Sequence, residues 1–185
     1  MIRIIAGTYK GRFLKVPDSR ATRPTMDKVR QAIFSAVKDA PVGAVVLDLF
    51  AGSGAMGIEA YSRGAKEVYL NDKDHGTFQV LRENVQSLSL PPEDVHLSLL
   101  DYRIFLKRCR DVVFDLVLLD PPYRFRINAE ILRNMEENHQ LSACCVLVSE
   151  QDYPNPDLPG FEKKEYRYGE KHVAVYRRKG EEEHE

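Results

Sequence analysis

Cysteine is scarce in this chain: Cys109, Cys144 and Cys145 are an odd count without metal-ligand spacing, and the adjacent pair falls in an apolar run where buried structural thiols are expected. A disulfide framework is thereby excluded. No apolar run approaches the roughly eighteen residues that a membrane span requires. The opening Met1-Ile2-Arg3-Ile4-Ile5-Ala6-Gly7 lacks the basic segment and apolar core of a secretory leader, so a cytoplasmic location is the expectation. Low-complexity tracts and internal repeats are missing too, and 43% apolar with 30% charged residues argues against disorder. The histidines, His75, His96, His139, His172 and His184, show no compact ligand pattern, and no metal is expected.

Net charge is almost absent, −1 over 185 residues, but its distribution is uneven. Residues 1–38 carry Arg3, Lys10, Arg12, Lys15, Arg20, Arg23, Lys28, Arg30 and Lys38 against Asp18 and Asp27, a local charge of +7. A basic lobe on a nearly neutral chain is compatible with a phosphate-backbone partner and equally with an ordinary solvated face.

The length suits one α/β domain with a short attached element. Residues 2–6 and 12–16 read as a β-hairpin around Gly7 to Gly11, and residues 17–23 as a turn. From Pro24 a helix is expected, with Met26, Val29, Ile33 and Val37 inward and Arg23, Lys28 and Arg30 on the other surface. Residues 1–40 thus form an N-terminal hairpin and basic helix, residues 41–179 the main domain and residues 180–185 a frayed acidic tail. The main domain alternates: strand from Val45, helix from about Ala55 through Ser62, strand 67–70, helix from about Asp74 with Phe78, Leu81, Val85 and Leu88 inward, strand 95–99, a short helix around 104–106 and a buried strand 112–119. A helix over 129–138 with Ile131, Leu132 and Met135 inward, a strand 144–148 and a closing hairpin of 161–168 and 172–176 follow. Such alternation predicts a Rossmann-like α/β fold with a mostly parallel sheet.

Around one turn the chain is organised. Val45-Val46-Leu47-Asp48-Leu49-Phe50 runs into Gly52-Ser53-Gly54-Ala55-Met56-Gly57, a strand followed by glycines that let the backbone approach a ligand before a helix begins. The G-x-G-x-x-G spacing, with Asp72 twenty residues after Gly52, fits a dinucleotide fingerprint and keeps a nicotinamide enzyme open. Asp48 points elsewhere. A carboxylate before the turn would oppose a pyrophosphate, whereas it can pair with the cationic amino acid part of S-adenosylmethionine. Asp72 then suits the ribose hydroxyls, and Asp101, after the third strand of this series, the adenine amino group with Tyr102 packing nearby. Phe50, Ser53 and Lys73 flank the same turns and complete the candidate donor site. Helix capping is the competing use of Asp72 and Asp101.

A second feature is Asp120-Pro121-Pro122-Tyr123, immediately after Phe114-Asp115-Leu116-Val117-Leu118-Leu119. Paired prolines stiffen the exit from a strand, so an acid and an aromatic are held in fixed relation. The Asp120 carboxylate and the Pro121 carbonyl can accept hydrogen bonds from a planar amine while Tyr123 stacks on the ring. In-line displacement at the sulfonium methyl needs chiefly positioning and charge stabilisation, not a strong base.

These residues together resemble the bacterial small-subunit ribosomal RNA guanine-N2 methyltransferase family. The likeness lies in Arg3-Ile4-Ile5-Ala6-Gly7, Lys10-Gly11-Arg12, Leu14-Lys15-Val16-Pro17, Thr22-Arg23-Pro24-Thr25 with Val29-Arg30, Asp48 through Gly54, and Asp120-Pro121-Pro122-Tyr123. The resemblance implies a class I methyltransferase with a seven-stranded sheet and antiparallel last strand. It also implies S-adenosylmethionine as donor and, as acceptor, a guanine of small-subunit ribosomal RNA in a partly assembled subunit with ribosomal proteins. It places the donor on Asp48, Gly52, Gly54, Asp72 and Asp101, the chemistry on Asp120 to Tyr123, and RNA on Arg23, Thr25 and Arg30; Arg3, Lys10, Arg12 and Arg124 extend that basic set. Where the family commonly carries Glu this chain has Asp72, and Leu100 and Tyr102 stand where glycine and a small residue are common. Two other readings stay open: methylation of another planar amine, DNA adenine or a protein glutamine, and a noncatalytic RNA-binding assembly factor.

Overall fold

The computed structural model describes residues 1–17, 24–122 and 126–180, and at residues 24 and 25 the backbone alone. Arg23, Tyr123, Arg124, the side chain of Thr25, the turn 18–23 and the tail beyond Gly180 lie outside the described residues.

Two short strands, β1 (Ile2–Arg3) and β2 (Phe13–Leu14), pair antiparallel as a separate small sheet, and helix α1 (Pro24–Val37) follows. Then come β3 (Val45–Asp48), α2 (Ala55–Ser62), β4 (Glu67–Asp72), α3 (His75–Ser87), β5 (Val95–Leu99), α4 (Tyr102–Arg108), β6 (Phe114–Leu119), α5 (Asn128–Glu137), β7 (Leu141–Gln151), β8 (Phe161–Tyr168) and β9 (Lys171–Arg178). The main sheet has seven strands in the order β5-β4-β3-β6-β7-β9-β8, parallel except for β9, which is antiparallel to both neighbours. The last strand reverses because Gly169, with φ 61°, allows a tight turn from Tyr168 to Lys171, and β9 enters between β7 and β8. This is the expected class I methyltransferase architecture.

Both faces of the sheet are covered, which is why β6 is almost wholly apolar. On one face Val46, Val68, Leu70, Leu116, Leu118, Val146, Val148, Val173 and Val175 pack with Val29, Ile33, Phe34 and Val37 of α1, Ile58 of α2 and Leu81 of α3. On the other, Leu47, Val117, Leu119, Leu147 and Tyr176 meet Phe105 of α4 and Ile131, Leu132 and Met135 of α5. After β3 the chain steps outward to β4 and β5, and afterwards to the opposite side through β6 and β7. The sheet thus has its switch point between β3 and β6, and a crevice opens at their C-terminal ends.

The N-terminal segment is joined to this frame by specific hydrogen bonds. Cross-hairpin bonding continues through Ile4 N to Arg12 O at 2.9 Å, and beyond it Ile5 N and Ala6 N leave the hairpin for the two carboxylate oxygens of buried Glu59 in α2, at 2.9 and 3.1 Å. Ser62 at the end of α2 donates to Ala6 O at 2.6 Å and accepts from Tyr9 N at 2.9 Å. Arg177 of β9 reaches Ala36 O of α1 at 3.0 Å.

Three expectations are corrected. Met26, expected inward, is 43% exposed, and the buried stripe of α1 runs Val29, Ile33, Phe34, Val37, one face of a 3.6-residue period. Cys144 is exposed while Cys145 is buried, because the start of β7 through residue 144 reaches solvent and the strand is covered on both sides from Cys145 onward. Arg30, expected on an RNA-facing surface, is only 5% exposed: its guanidinium donates to Arg3 O at 2.5 Å and to Asp27 at 3.3 Å, tying α1 to the hairpin. Among the described residues no helix is long and apolar enough to cross a membrane.

Candidate active site

At the end of β3, Asp48 is 3% exposed, and its Oδ2 accepts the backbone N–H of Gly57 at 2.9 Å. A Cβ at residue 57 would lie 2.1 Å from Leu70 Cδ2 and 3.2 Å from Asp48 Oδ2, so glycine is what lets α2 come this close to the strand. Gly54 caps α2 in the left-handed region, φ 87°, where a Cβ would meet Leu81 Cδ1 at 2.5 Å. Burial pushes the Asp48 carboxyl up to about 7; the Gly57 N–H opposes the shift, and the charges of Asp72 and Glu150 add to it. A carboxyl held so near its titration point is readied to ionise against a cation. This fits the ammonium of a methionine moiety and does not fit a pyrophosphate.

At the end of β4, Asp72 braces the turn: Oδ2 accepts from Gly52 N and Oδ1 from Asp74 N, both at 2.9 Å. Each oxygen retains acceptor capacity that suits a ribose hydroxyl. Lys73 follows it, exposed. Asp101, after β5, caps α4 by accepting from Arg103 N at 3.0 Å and is gripped by the Arg103 guanidinium at 3.0 and 3.2 Å. That guanidinium is the main reason the Asp101 carboxyl lies below the ordinary carboxylate range. The capping use of Asp101 is therefore realised, and Oδ2, which accepts one bond from Arg103, keeps acceptor capacity for a further donor. Phe50 and Tyr102, both half-buried, stand with ring centroids 5.8 Å apart at 54°, an aromatic wall beside Asp101. Carboxylates, a glycine turn and an aromatic wall in this order suit a nucleoside with a cationic amino acid tail.

At the end of β6 stands Asp120, half-buried, with Pro121 buried and Pro122 exposed. Asp48 pairs with Leu118 across the β3–β6 ladder. Strand spacing and rise therefore put the Asp120 and Asp48 α-carbons about 8 Å apart. Alternation continued from Leu118 turns Asp120 to the same face as Asp48. Tyr123 and Arg124 lie outside the described residues. Of the basic set, Arg3, Lys10 and Arg12 are exposed on the hairpin; the Arg3 guanidinium lies 5.3 Å from the Phe13 ring centroid, and Arg12 also donates to Ser87 O at 3.0 Å.

Sequence reasoning missed several residues here. Asn71, buried in β4, donates to Leu49 O at 3.2 Å and Leu100 O at 3.0 Å and accepts from Ser98, so it cross-braces the three strand ends that carry the donor-side acids. Asn84 of α3 donates to Ser53 O in the glycine turn at 2.8 Å and exchanges two bonds with the Lys15 backbone. Asn128, the first residue of α5 after the Asp120 turn, is fixed to Ser149 at 2.8 Å, and Ser149 to Asn155 at 2.6 Å. A polar residue inside an otherwise apolar stretch, such as Glu59 or Asn71, was the available signal. A separate groove of 1360 Å³ between the end of α1 and β8–β9 lies at the opposite end of the sheet from these strand ends. Among the described residues no group of His, Cys, Asp and Glu is arranged to hold a metal ion.

The family described as Conserved hypothetical protein 95 matches residues 2–177. Ribosomal RNA small subunit methyltransferase D of Escherichia coli is 36% identical over 160 residues, 85% of this chain and 79% of the relative. Its Haemophilus influenzae namesake is 34% identical over 156 residues, 84% of this chain and 81% of the relative. This chain belongs to their family. The solved structure of the Escherichia coli candidate methyltransferase yhhF has TM-score 0.85 at 30% identity, covering 97% of this chain and 99% of that one. As a member of the methyltransferase D family the chain is an S-adenosylmethionine-dependent methyltransferase.

Proposed function

We propose that this protein transfers a methyl group to the exocyclic N2 amine of a guanine in small-subunit ribosomal RNA, in the cytoplasm, on a partly assembled subunit whose ribosomal proteins form part of the target. The observation that carries the reading is the adjacency of the donor-side Asp48 and glycine turn on β3 to Asp120-Pro121-Pro122 on β6, facing one crevice.

S-adenosylmethionine supplies a methyl group on a sulfonium, an electrophile whose departure leaves a neutral thioether. Asp48 holds the ammonium end of the donor, and Asp72, Asp101 and the Phe50–Tyr102 wall hold its nucleoside. The Asp120 carboxylate and the Pro121 carbonyl accept the two amine hydrogens, which orients the nitrogen lone pair toward the methyl carbon. As the N–C bond forms and the S–C bond breaks, positive charge grows on the nitrogen beside Asp120, and the proton leaves to that carboxylate or to water. Arg3, Lys10 and Arg12, with Arg23, Thr25 and Arg124, contact the phosphate backbone and fix the acceptor strand. Base mapping of ribosomal RNA by mass spectrometry, from cells with and without this protein, is expected to differ by one N2-methylguanine. An identical map in the two strains refutes the assignment.

A further inference from the structure

Strands β6 and β7 leave the sheet side by side, their last paired residues being Leu119 and Ser149. The next position on each carries an acid, Asp120 and Glu150. Glu150 is still within β7, opposite Val173 of β9. By alternation it lies on the face of Val146 and Val148, the face to which Asp48 also turns from Val46. The Leu119–Ser149 register sets it beside Asp120 at the C-terminal ends of β6 and β7, where the crevice opens, and its charge reaches the Asp48 carboxyl. Glu150 is 7% exposed and forms a short ion pair through Oε1 with Nζ of Lys171, the residue that opens β9. A carboxylate–ammonium pair whose acid is buried and whose ammonium is half-buried is a poor way to hold a hairpin together, because desolvation offsets much of the attraction and an apolar pair would serve as well.

We propose that Glu150 and Lys171 read the Watson–Crick edge of the acceptor guanine, an inference that rests on the function proposed above. That edge presents in order an acceptor, O6, a donor, N1–H, and the donor amine N2. The three side chains present an ammonium, a carboxylate and a second carboxylate. With N2 held by Asp120, Glu150 accepts from N1–H and Lys171 donates to O6. Adenine with its amine on Asp120 would turn the lone pair of an unprotonated N1 toward the Glu150 carboxylate, an acceptor facing an acceptor. The pair therefore selects guanine among planar amines.

The test uses small subunits assembled on RNA in which the mapped target guanosine is either kept or replaced by 2,6-diaminopurine, which retains the N2 amine but has an amine at C6 and no N1–H. The wild-type protein is expected to prefer guanine by at least about 100-fold in kcat/KM, since a site built to hydrogen-bond a group rejects an analogue that lacks it. Glu150→Gln carries an amide N–H that can face the unprotonated N1, and the preference is expected to fall about 10-fold or more. Lys171→Met, which no longer asks for an acceptor at C6, is expected to move the ratio the same way and serves if the first variant does not fold. Because each ratio compares two acceptors on one enzyme, changes in donor affinity or stability cancel. An unchanged ratio in both variants, with N2-methylguanine still made by the wild type, overturns the role of the pair alone; absence of N2-methylguanine from the wild type overturns the proposed function as well.

Discussion

Substituting Asp48 by Asn tests the electrostatics of the crevice without any RNA. Unfolded, this carboxyl ionises near its ordinary 3.8; folded, burial delays ionisation to about 7. Between those values the folded state holds a proton that the unfolded state has lost, so stability falls as pH rises through this window. From about pH 5 to about pH 8 the loss from this one group is roughly 2–3 kcal/mol, some two pH units at about 1.4 kcal/mol each. The Asp48→Asn protein does not titrate there, and its amide oxygen can still accept from Gly57. Urea denaturation of both proteins without donor, at about pH 5 and about pH 8, is the assay. The difference in unfolding free energy is expected to move by roughly 2–3 kcal/mol in favour of the variant at the higher pH. Titrating groups that do not couple to Asp48 occur in both proteins and cancel, and the coupled Asp72 and Glu150 enter the difference together with it. A gap that is the same at both pH values refutes the claim that Asp48 is buried in a near-neutral state. The donor's ammonium favours the ionised carboxylate, so wild-type affinity for S-adenosylmethionine is expected to rise from about pH 6 to about pH 7.5. The variant should bind about 10- to 100-fold more weakly and without that rise.

Asp120→Ala is expected to lower turnover on subunit particles by about 100-fold or more while sparing donor affinity measured by calorimetry; unchanged turnover removes Asp120 from the chemistry. Arg3→Gln with Lys10→Gln is expected to weaken RNA binding and reduce the salt slope by about 2, whereas Arg30→Met should leave that slope alone and cost about 1–3 kcal/mol of stability by orphaning Arg3 O. An Arg30→Met protein of wild-type stability but altered slope would reverse this assignment. Gly57→Ala forces a methyl against Leu70, which is fully buried, and is expected to destabilise by about 1–3 kcal/mol in thermal unfolding. A melting temperature at the wild-type value would show that α2 can shift from β3 without penalty.

The order and type of the elements were legible because each is bounded by strong local chemistry. The glycine turn starts α2 at Ala55, the glycine at residue 169 separates β8 from β9, and Pro91-Pro92 lies between α3 and β5, although the helix already ends at Ser87. Buried strands announce themselves as apolar runs, and β5 and β8 fall within the expected limits, 95–99 and 161–168. What remained hidden are polar partnerships between residues far apart in the chain. Periodicity reports which face a residue occupies, not what waits on that face. Arg30 reads as a surface cation on α1 because its partner, Arg3 O, lies on another element, and Asp101 reads as a free ligand acid because Arg103 can equally turn to solvent. Asp48 was legible for the opposite reason: a lone carboxylate in a buried strand demands a partner, and the charges that reach it, from Asp72 and Glu150, are of its own sign.

The same long-range bonds decide how the basic hairpin relates to the donor turn. Asn84 spends both amide hydrogens and its oxygen on fixed backbone groups: Nδ2 on Ser53 O and Lys15 O, Oδ1 on Lys15 N. It is buried, so no water competes for these bonds. At the other end of the segment, Glu59 and Ser62 hold residues 5–9 to α2, the helix that begins at Gly54. The hairpin that carries Arg3, Lys10 and Arg12 is thus anchored to the C-terminal half of the glycine-turn helix and, through Asn84 of α3, to the turn itself. Rearranging one relative to the other would break buried hydrogen bonds to Asn84 and Glu59 together, at several kcal/mol on the order of 1–3 each. The spacing between the side chains proposed to contact phosphate and the proposed methyl-transfer crevice is therefore set before either ligand arrives, and on that proposal the ordering cost that a flexible arm would impose on RNA binding does not arise for this part of the surface.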